Sequence, residues 1–315
     1  MQFPALSFRS FLSLQAGRGL VKILLYFCVV SCVLFTGESP NCSWHSLALI
    51  KVKNKSKKVY DSCAKTLFIG KKIVYLPSCH STNDIAAELV RAEKLPEGSV
   101  VITSEQTAGR GQRGSRWITE QGANFTFSVV FCPAFLAIDQ QFLLSQAVAL
   151  GVLGFLSDKC AHAQIKWPND LYIQDSKVGG ILIENSIQGA RLSHAIAGIG
   201  LNINQRQFSV PRATSLFRET RQFFDLKTEL PLLLQHLEQS YLQLRNGHFE
   251  VIRERYKTRL LGFGQKRTFA ANGILFSGTV VGITPYGQLQ VLTEEGAIRE
   301  FDIKEIEWKF TLDES

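Results

Sequence analysis

Residues 164–184 read QIKWPNDLYIQDSKVGGILIE. Three short β-forming segments lie within this stretch, at 164–167, 171–174 and 178–184, and a fourth, HAIAGIGLNI, follows at 194–203. Parallel neighbours need crossover connections of about a dozen residues, usually a helix, and the connections here are too short for that. The stretch therefore predicts a mixed, largely antiparallel sheet.

Strands and helices alternate on both sides of this stretch. Upstream, further strands are predicted at 72–78, 100–104 and 125–131. Three amphipathic or apolar helices are predicted at about 139–157, 226–246 and 249–260, and a shorter one follows the capping residues Ser81 and Thr82. This pattern predicts an α+β fold.

The pattern of residue types changes from Arg267 onward. Short β-rich segments are broken by the turn signals Asn-Gly, Pro-Tyr-Gly and Glu-Gly. We interpret residues 266–315 as a small β-barrel that follows a larger domain at 67–265.

Charge separates the N-terminus from this body. The chain has 315 residues and a net charge of +8, but residues 1–66 contain nine Lys and Arg residues against two acidic ones, which leaves the remainder at +1. The body therefore lacks the charge excess of a nucleic-acid-binding protein. Seven cysteines without a CxxC pair fit neither a disulfide framework nor a zinc ribbon, so we expect a reduced, cytoplasmic protein.

Residues 1–66 leave alternatives open. The apolar run at 23–35, preceded by basic residues, is typical of a secretory signal and suggests export. A start assigned too far upstream is the other interpretation, although Met1 is the sole methionine. The basic stretch at 51–59 is interpreted as a solvated linker. In either case we expect this extension to lie outside the fold, so that a chain beginning near Thr66 is soluble and active.

Two stretches carry positive charge on turns. GRGQRGSRW, residues 109–117, interleaves glycines with Arg110, Arg113 and Arg116, a combination suited to phosphate or carboxylate. KWPND at 166–170, followed by Lys177, combines amide and carboxylate oxygens with lysines and could hold a nucleotide with Mg²⁺. Each alone is equally consistent with an exposed basic surface.

Two further stretches are weaker signals. SCHSTND at 78–84 offers hydroxyl groups that cap a helix, contact a ligand, or do both. GIGLNIN at 198–204 could be a tightly packed strand or a strand that a ligand approaches closely.

Taken together and in this order, the four stretches resemble biotin–protein ligase, which attaches biotin to a lysine of carboxylase carrier domains. The resemblance runs from about 68 to 308 and rests on STN at 81–83, QTAGRGQRGSRW at 106–117, residues 166–184 and GIGLN at 198–202. It implies a catalytic domain similar to class II aminoacyl-tRNA synthetases and lipoate ligases, followed by an SH3-like barrel. No paired amphipathic helices for a DNA-binding domain are evident in residues 1–66, which indicates the non-regulatory type without DNA as a partner.

The resemblance also implies the chemistry. Biotin and ATP form biotinyl-AMP, and a carrier lysine then attacks this mixed anhydride. Lys177 and Arg110 are the implied catalytic residues, Lys177 at the carboxylate and α-phosphate, Arg110 with Gly111 on the adenylate. By the same resemblance Ser81, Thr82 and Gln106 hydrogen-bond the biotin ring, Trp117 covers its chain, and Gly180 and Gly198 let the strands approach the ligand. Asn169 and Asp170 are implied for the nucleotide and Mg²⁺. Asn83, Gln112 and Asn202 are implied as further binding residues.

This chain departs from the family pattern at Gln112 and Ser115, where relatives often have basic residues. Gln112 can still donate hydrogen bonds, and we expect retention of the adenylate to depend more on Arg110 and Lys177. The alternatives are a lipoate–protein ligase, which would share the fold, and a non-enzymatic nucleic-acid-binding protein. The sequence predicts that the body does not associate with a membrane. It does not distinguish a monomer from a homodimer.

Overall fold

The structure is a computed structural model that describes residues 60–310, which belong to one compact unit, Lys55–Ser315. The predictions for the signal-like run and the basic linker fall outside the described residues. Within the described part, one helical stretch, 138–157, is long and apolar enough to cross a membrane, but 67% of its apolar window is buried inside the fold.

A seven-stranded sheet forms the larger layer. Its strands in chain order are β1 (Ile73–Leu76), β2 (Val100–Thr103), β3 (Phe125–Phe131), β4 (Ala163–Lys166), β5 (Asp170–Ile173), β6 (Ser176–Gln188) and β7 (Arg191–Leu201). Their order across the sheet is β1-β2-β3-β7-β6-β5-β4, and β1 with β2 is the parallel pair among antiparallel ones. The predicted mixed, largely antiparallel sheet is confirmed.

Five α-helices within residues 60–310 accompany this sheet. They are α1 (Thr82–Arg91), α2 (Gln141–Ser157), α3 (Leu216–Thr220), α4 (Leu226–Arg245) and α5 (Phe249–Thr258). The sequence analysis predicted all but the short α3. Helix α2 is apolar all round because it is buried between the sheet and α4. Gly151 permits this packing, since a Cβ there would lie 2.8 Å from Leu237 Cα of α4.

The fold begins earlier than the predicted boundary at residue 67. Cys63 and Thr66 are buried, the Cys63 N–H donates to Gly70 O at 2.9 Å, and the Tyr60 ring lies 5.9 Å from the Tyr75 ring. Residues 61–66 lie in turns and irregular backbone, which have no apolar periodicity. The sequence pattern therefore does not show that they pack against the core. Residues 60–66 therefore pack as part of the body.

A five-stranded antiparallel sheet forms the C-terminal part. Its strands are β8 (Lys266–Ala271), β9 (Ile274–Ile283), β10 (Leu289–Thr293), β11 (Ile298–Phe301) and β12 (Glu307–Trp308), in the order β11-β10-β9-β8-β12. The predicted Asn272-Gly273 turn joins β8 to β9, with positive φ at both residues. A C-terminal β domain is thus present, and its assignment as an SH3-like barrel stays a prediction.

Candidate active site

One cavity of about 700 Å³ gathers the four motif stretches. Its size is in the range of small-molecule sites. The predicted site residues that line it are Ser81, Thr82, Asn83, Gln106, Arg110, Gly111, Gln112, Trp117, Asn169, Asp170, Lys177, Gly180 and Gly198. The structure therefore brings together residues from both halves of the larger sheet.

Asn202 is the predicted site residue that does not line this cavity. It is buried, and its side-chain amide donates to Thr214 O at 3.0 Å. The Thr214 N–H in turn donates to Lys177 O at 2.8 Å. Asn202 thus supports the backbone beside Lys177 rather than facing a ligand.

The polar corner of the cavity lies at the start of α1. Ser81 caps the helix by accepting from the Asp84 N–H at 3.3 Å, which confirms the capping interpretation for this hydroxyl. The Thr82 N–H donates to Gln106 Oε1 at 2.9 Å, so the Gln106 amide is held against the helix. Gly109 leaves room for that amide, because a Cβ there would lie 2.6 Å from Gln106 Nε2.

Behind this corner lies a polar network that the sequence analysis did not identify. The Asn83 side-chain amide donates to Glu184 Oε2 at 2.7 Å, and the Ser128 hydroxyl lies 2.6 Å from Asn83 Oδ1 and 2.7 Å from Thr82 Oγ1. Ser128 is fully buried in β3. A buried strand serine carries no distinguishing sequence pattern, so only the register of β3 against β7 reveals its position.

The glycine–arginine stretch forms a tight hairpin at the cavity. The Trp117 N–H donates to Gly109 O at 3.0 Å and the Gly111 N–H donates to Ser115 O at 2.6 Å, with a 3₁₀ turn at Gln112–Gly114. We refer to residues 109–117 as the arginine hairpin. Its glycines therefore allow the two strands of the hairpin to pair closely, and they also allow a ligand to approach the backbone.

Arg110 of the arginine hairpin is anchored by carboxylates. Its Nη2 lies 2.6 Å from Asp84 Oδ1 and 3.1 Å from Glu184 Oε1, and the hydrogen bond with Asp84 is the main cause of its raised pKa. The guanidinium is about half-exposed, so these pairs are accessible to solvent. To face an adenylate as predicted, the side chain would have to exchange these carboxylates for phosphate.

Trp117 is seated on a glycine that the sequence analysis quoted but did not assign. A Cβ at Gly200 would collide with the Trp117 indole. The buried Trp117 Nε1 has no hydrogen-bond partner within residues 60–310. Gly200 thus holds the indole against β7, at the cavity wall where the predicted cover over a ligand would lie.

Three hydrogen bonds from side chains hold the KWPND turn. The Asn169 side-chain amide donates to Ile181 O of β6, the Trp167 indole donates to Gly287 O at 2.8 Å, and the Tyr256 hydroxyl donates to Pro168 O at 2.5 Å. Burial raises the pKa of Tyr256, which keeps this hydroxyl a neutral donor. The turn is thereby fastened to the sheet, to α5 and to the C-terminal sheet.

Lys177 and Asp170 form an ion pair inside the cavity. Lys177 Nζ lies 2.6 Å from Asp170 Oδ1, and both side chains are partly buried. Gly180 lies opposite Asp170 in the β5–β6 register, and a Cβ there would be 3.2 Å from Asp170 Oδ1 and 3.4 Å from Lys177 Nζ. The glycine leaves room for the pair and for whatever it binds.

The C-terminal sheet completes the cavity wall, which the sequence analysis did not predict. Lys166 Nζ lies 5.4 Å from the centres of the Tyr172 and Trp308 rings and 6.0 Å from that of Phe310. Burial lowers the pKa of Lys166, while neighbouring Asp170 acts in the opposite direction. The lining residues from this part are Ile303, Lys304, Ile306, Glu307 and Trp308.

The donor set suits a metal ion that arrives with a ligand. Among residues 60–310, no cluster of three or more His, Cys, Asp or Glu side chains could hold a metal ion. Mg²⁺ is commonly held by one or two carboxylates together with substrate phosphates. Asp170 fits that mode, because Lys177 contacts its Oδ1 and the second oxygen can serve as a ligand.

Comparisons with known proteins agree with this geometry. Residues 75–202 match the Biotin/lipoate A/B protein ligase family. The bifunctional ligase/repressor BirA of Bacillus subtilis is 32% identical over 239 residues, covering 74% of this chain and 73% of that protein. The biotin--[acetyl-CoA-carboxylase] ligase of Paracoccus denitrificans is 33% identical over 193 residues, covering 59% and 79%.

A solved structure gives the same result. Biotin protein ligase from Aquifex aeolicus, in complex with biotin and ATP, is 27% identical with a TM-score of 0.64, covering 76% of this chain and 99% of that chain. The chain therefore belongs to the biotin/lipoate A/B protein ligase family, and within that family to the biotin–protein ligases.

Proposed function

We propose that this protein is an ATP-dependent biotin–protein ligase that joins biotin to a lysine of a carrier domain of a biotin-dependent carboxylase. The observation that carries the proposal is that the polar corner at Thr82 and Gln106 and the Lys177–Asp170 pair line the same cavity. A ligand with a polar ring at one end and a carboxylate at the other fits such a site.

The spacing along β6 supports this placement. Leu182, whose carbonyl contacts Asn83 of the polar corner, is five residues beyond Lys177. At about 3.3 Å per residue the two positions are roughly 16 Å apart along the strand. A ring bound at the polar corner can therefore extend its acid chain along β6 toward the lysine.

The first half-reaction follows from that arrangement. The biotin carboxylate attacks the α-phosphorus of ATP, the bond to the bridging oxygen breaks, and pyrophosphate leaves. The Lys177 ammonium stabilises the negative charge that develops on the α-phosphate, a contribution of the electrostatic type that dominates phosphoryl and acyl transfer. Asp170 holds the ammonium in position before the nucleotide binds.

In the second half-reaction a neutral carrier lysine attacks the carbonyl of the mixed anhydride. AMP leaves, the amide forms, and the amine loses its proton. Water is the competing nucleophile, so the cavity must be covered while the intermediate is present. The arginine hairpin and Trp117 lie at the cavity wall where such a cover is needed.

Mg²⁺, the absence of a DNA partner and the cytoplasmic location belong to the same proposal. Asp170 would hold Mg²⁺ together with the ATP phosphates, and the metal would add charge neutralisation there. The near-neutral charge of residues 67–315 supports a protein partner rather than DNA. The cysteines of the described residues are free thiols, as expected in a reducing compartment, which supports a cytoplasmic location.

The test is transfer of labelled biotin. The purified protein, ATP, Mg²⁺ and a carrier domain should give labelled carrier and stoichiometric pyrophosphate, and a carrier whose acceptor lysine is replaced by arginine should stay unlabelled. Chelation of Mg²⁺ should stop pyrophosphate release. Transfer of lipoate but not biotin would favour the lipoate–protein ligase alternative, and retarded DNA without transfer would favour a nucleic-acid-binding protein.

A further inference from the structure

A continuous series of polar side chains connects Glu184 of β6 to Thr82 in the cavity. Asn83 lies between Glu184 Oε2, at 2.7 Å from its Nδ2, and Ser128 Oγ, at 2.6 Å from its Oδ1. Ser128 Oγ is also 2.7 Å from Thr82 Oγ1. Asn83, Ser128 and Thr82 are buried, so no bulk water competes for the two contacts of Ser128, whereas Glu184 is partly exposed.

The number of protons on each side chain determines which group donates in each of these contacts. A carboxylate accepts and cannot donate, so Asn83 must turn its NH₂ to Glu184 and its carbonyl oxygen to Ser128. The Ser128 hydroxyl has one proton, which that carbonyl oxygen requires. Ser128 has no second proton for its 2.7 Å contact with Thr82, so the Thr82 proton is used inside the protein, toward Ser128 Oγ at 2.7 Å or Gln106 Oε1 at 3.3 Å, and not toward the cavity.

We propose that Glu184, acting through Asn83 and Ser128, is a positioning residue that makes the Thr82 hydroxyl an acceptor toward the cavity and so selects a ligand with a ring N–H. The inference rests on the proposed function. The cyclic urea of biotin has two such N–H groups, whereas the dithiolane ring of lipoate has none. The same cavity shape would thus reject lipoate by leaving the Thr82 oxygen without a donor.

Two neighbours fix the direction of the series. Arg110 Nη2 lies 3.1 Å from Glu184 Oε1, which orients this carboxylate. Gly198 lies against Asn83, and a Cβ there would collide with the Asn83 carboxamide. Because Arg110 belongs to the arginine hairpin, the hairpin takes part in recognition of the ring as well as in covering the cavity.

The experiment measures binding of biotin and of two carbamate analogues, in each of which one ring N–H is replaced by oxygen. The full-length protein is titrated calorimetrically with each ligand. The wild type should bind one analogue much more weakly than the other, because its ring oxygen meets the Thr82 acceptor. In Ser128→Ala the Thr82 hydroxyl can rotate and donate to that oxygen, so this penalty should fall about fivefold to tenfold, the effect of one neutral hydrogen bond.

Glu184→Gln should act in the same sense but less strongly, because Leu182 O still accepts from Asn83 Nδ2 at 3.3 Å. Because the Glu184 side chain is partly exposed, its replacement should not prevent folding. This variant therefore tests the inference if Ser128→Ala does not fold. Asp84→Asn is the matched control: the Asp84 carboxylate shares Arg110 with Glu184, but it pairs with Arg110 and His80 and not with the Asn83 carboxamide, so the ratio between analogues should not change.

Equal weakening of biotin and both analogues in Ser128→Ala and Glu184→Gln would mean a merely structural role and would overturn the inference. An unchanged ratio would do the same. If the wild type binds biotin but the ratio of its affinities for the two analogues does not change in the variants as expected, the inference alone is wrong. A wild type that does not bind biotin would overturn the proposed function together with it.

Discussion

Lys177 and Asp170 face each other in the cavity with 2.6 Å between the ammonium and a carboxylate oxygen. We expect Lys177→Ala to lower the rate of adenylate formation about a hundred- to a thousandfold, the range for one electrostatic donor. Biotin binding should weaken much less, because the charge that Lys177 stabilises develops mainly in the transition state. Pyrophosphate release measures the first effect and calorimetry the second.

The control for this variant is Lys257→Ala. Lys257 lies on α5 and pairs with Glu254 at 2.7 Å, outside the cavity. It should leave the rate of pyrophosphate release unchanged. Normal pyrophosphate release by Lys177→Ala would remove Lys177 from the mechanism.

Gln112 opens the 3₁₀ turn of the arginine hairpin and lines the cavity. We expect Gln112→Arg to slow release of biotinyl-AMP by less than tenfold, because an arginine adds a charge-assisted bond to phosphate that solvent partly screens. Arg110→Ala should speed release, because Arg110 fastens the hairpin to Asp84 and Glu184. The measurement is a chase of preformed adenylate with excess unlabelled ligand.

A matched reference for this chase is Gln222→Arg. Gln222 is exposed and lies outside the cavity lining, so its replacement should leave the release rate as in the wild type. An unchanged or faster release by Gln112→Arg would show that position 112 does not face the ligand.

At the scale of elements, the KWPND turn depends on helix α5 and on the C-terminal sheet. We expect Tyr256→Phe to lower the free energy of unfolding by about 1–3 kcal/mol, because Pro168 O loses its donor in a buried setting. The affinity for ATP should fall too, since Asn169 and Asp170 follow in the same turn. Urea titration and nucleotide binding measure the two effects.

Tyr286→Phe provides the comparison for that element. Tyr286 lies in the β9–β10 loop, beside the Gly287 that accepts from Trp167, but its side chain is 73% exposed. Its loss of a hydroxyl should change neither stability nor affinity. Equal stability of Tyr256→Phe and the wild type would show that the bond to Pro168 does not hold the turn.

At the scale of the whole molecule, the N-terminal boundary can be tested by truncation. A chain beginning at Lys55 should be as stable as the full chain, whereas one beginning at Leu67 should lose at least about 2 kcal/mol of unfolding free energy, because the buried Cys63 and Thr66 and the backbone bond to Gly70 are removed. Urea titration of the two chains gives the difference. Equal stability would support the original boundary at residue 67.

A second group of contacts holds the N-terminal end of the folded body, at residues 67–69. The buried Glu238 of α4 accepts from the backbone N–H groups of Leu67, Phe68 and Ile69, at 2.5, 2.8 and 2.9 Å. A carboxylate buried in this way must be hydrogen-bonded, and three successive backbone donors satisfy it. Residues 67–69 are therefore fixed to the helical layer by a contact of large sequence separation.

The sequence by itself determined the strands and the longer helices, and it identified the motif residues that line the cavity. Apolar periods locate the long helices, and short connections between β-forming segments determine antiparallel pairing, because both properties depend on neighbours in the chain. Motif residues such as Thr82, Gln106 and Lys177 could be predicted because residue type and spacing report the chemistry directly. The predicted position of Asn202 shows the limit, since residues of one motif can face opposite sides of a strand.

Only the tertiary structure decided which distant residues share the site. Ser128 and Glu184 join the polar corner through the pairing of β3, β7 and β6, and the C-terminal residues from Ile303 to Trp308 reach the cavity through docking of a separate sheet. The anchoring of Arg110 on two carboxylates likewise joins three segments. These contacts link positions far apart in the chain, and their energy depends on strand register and burial, which no local pattern of residues records.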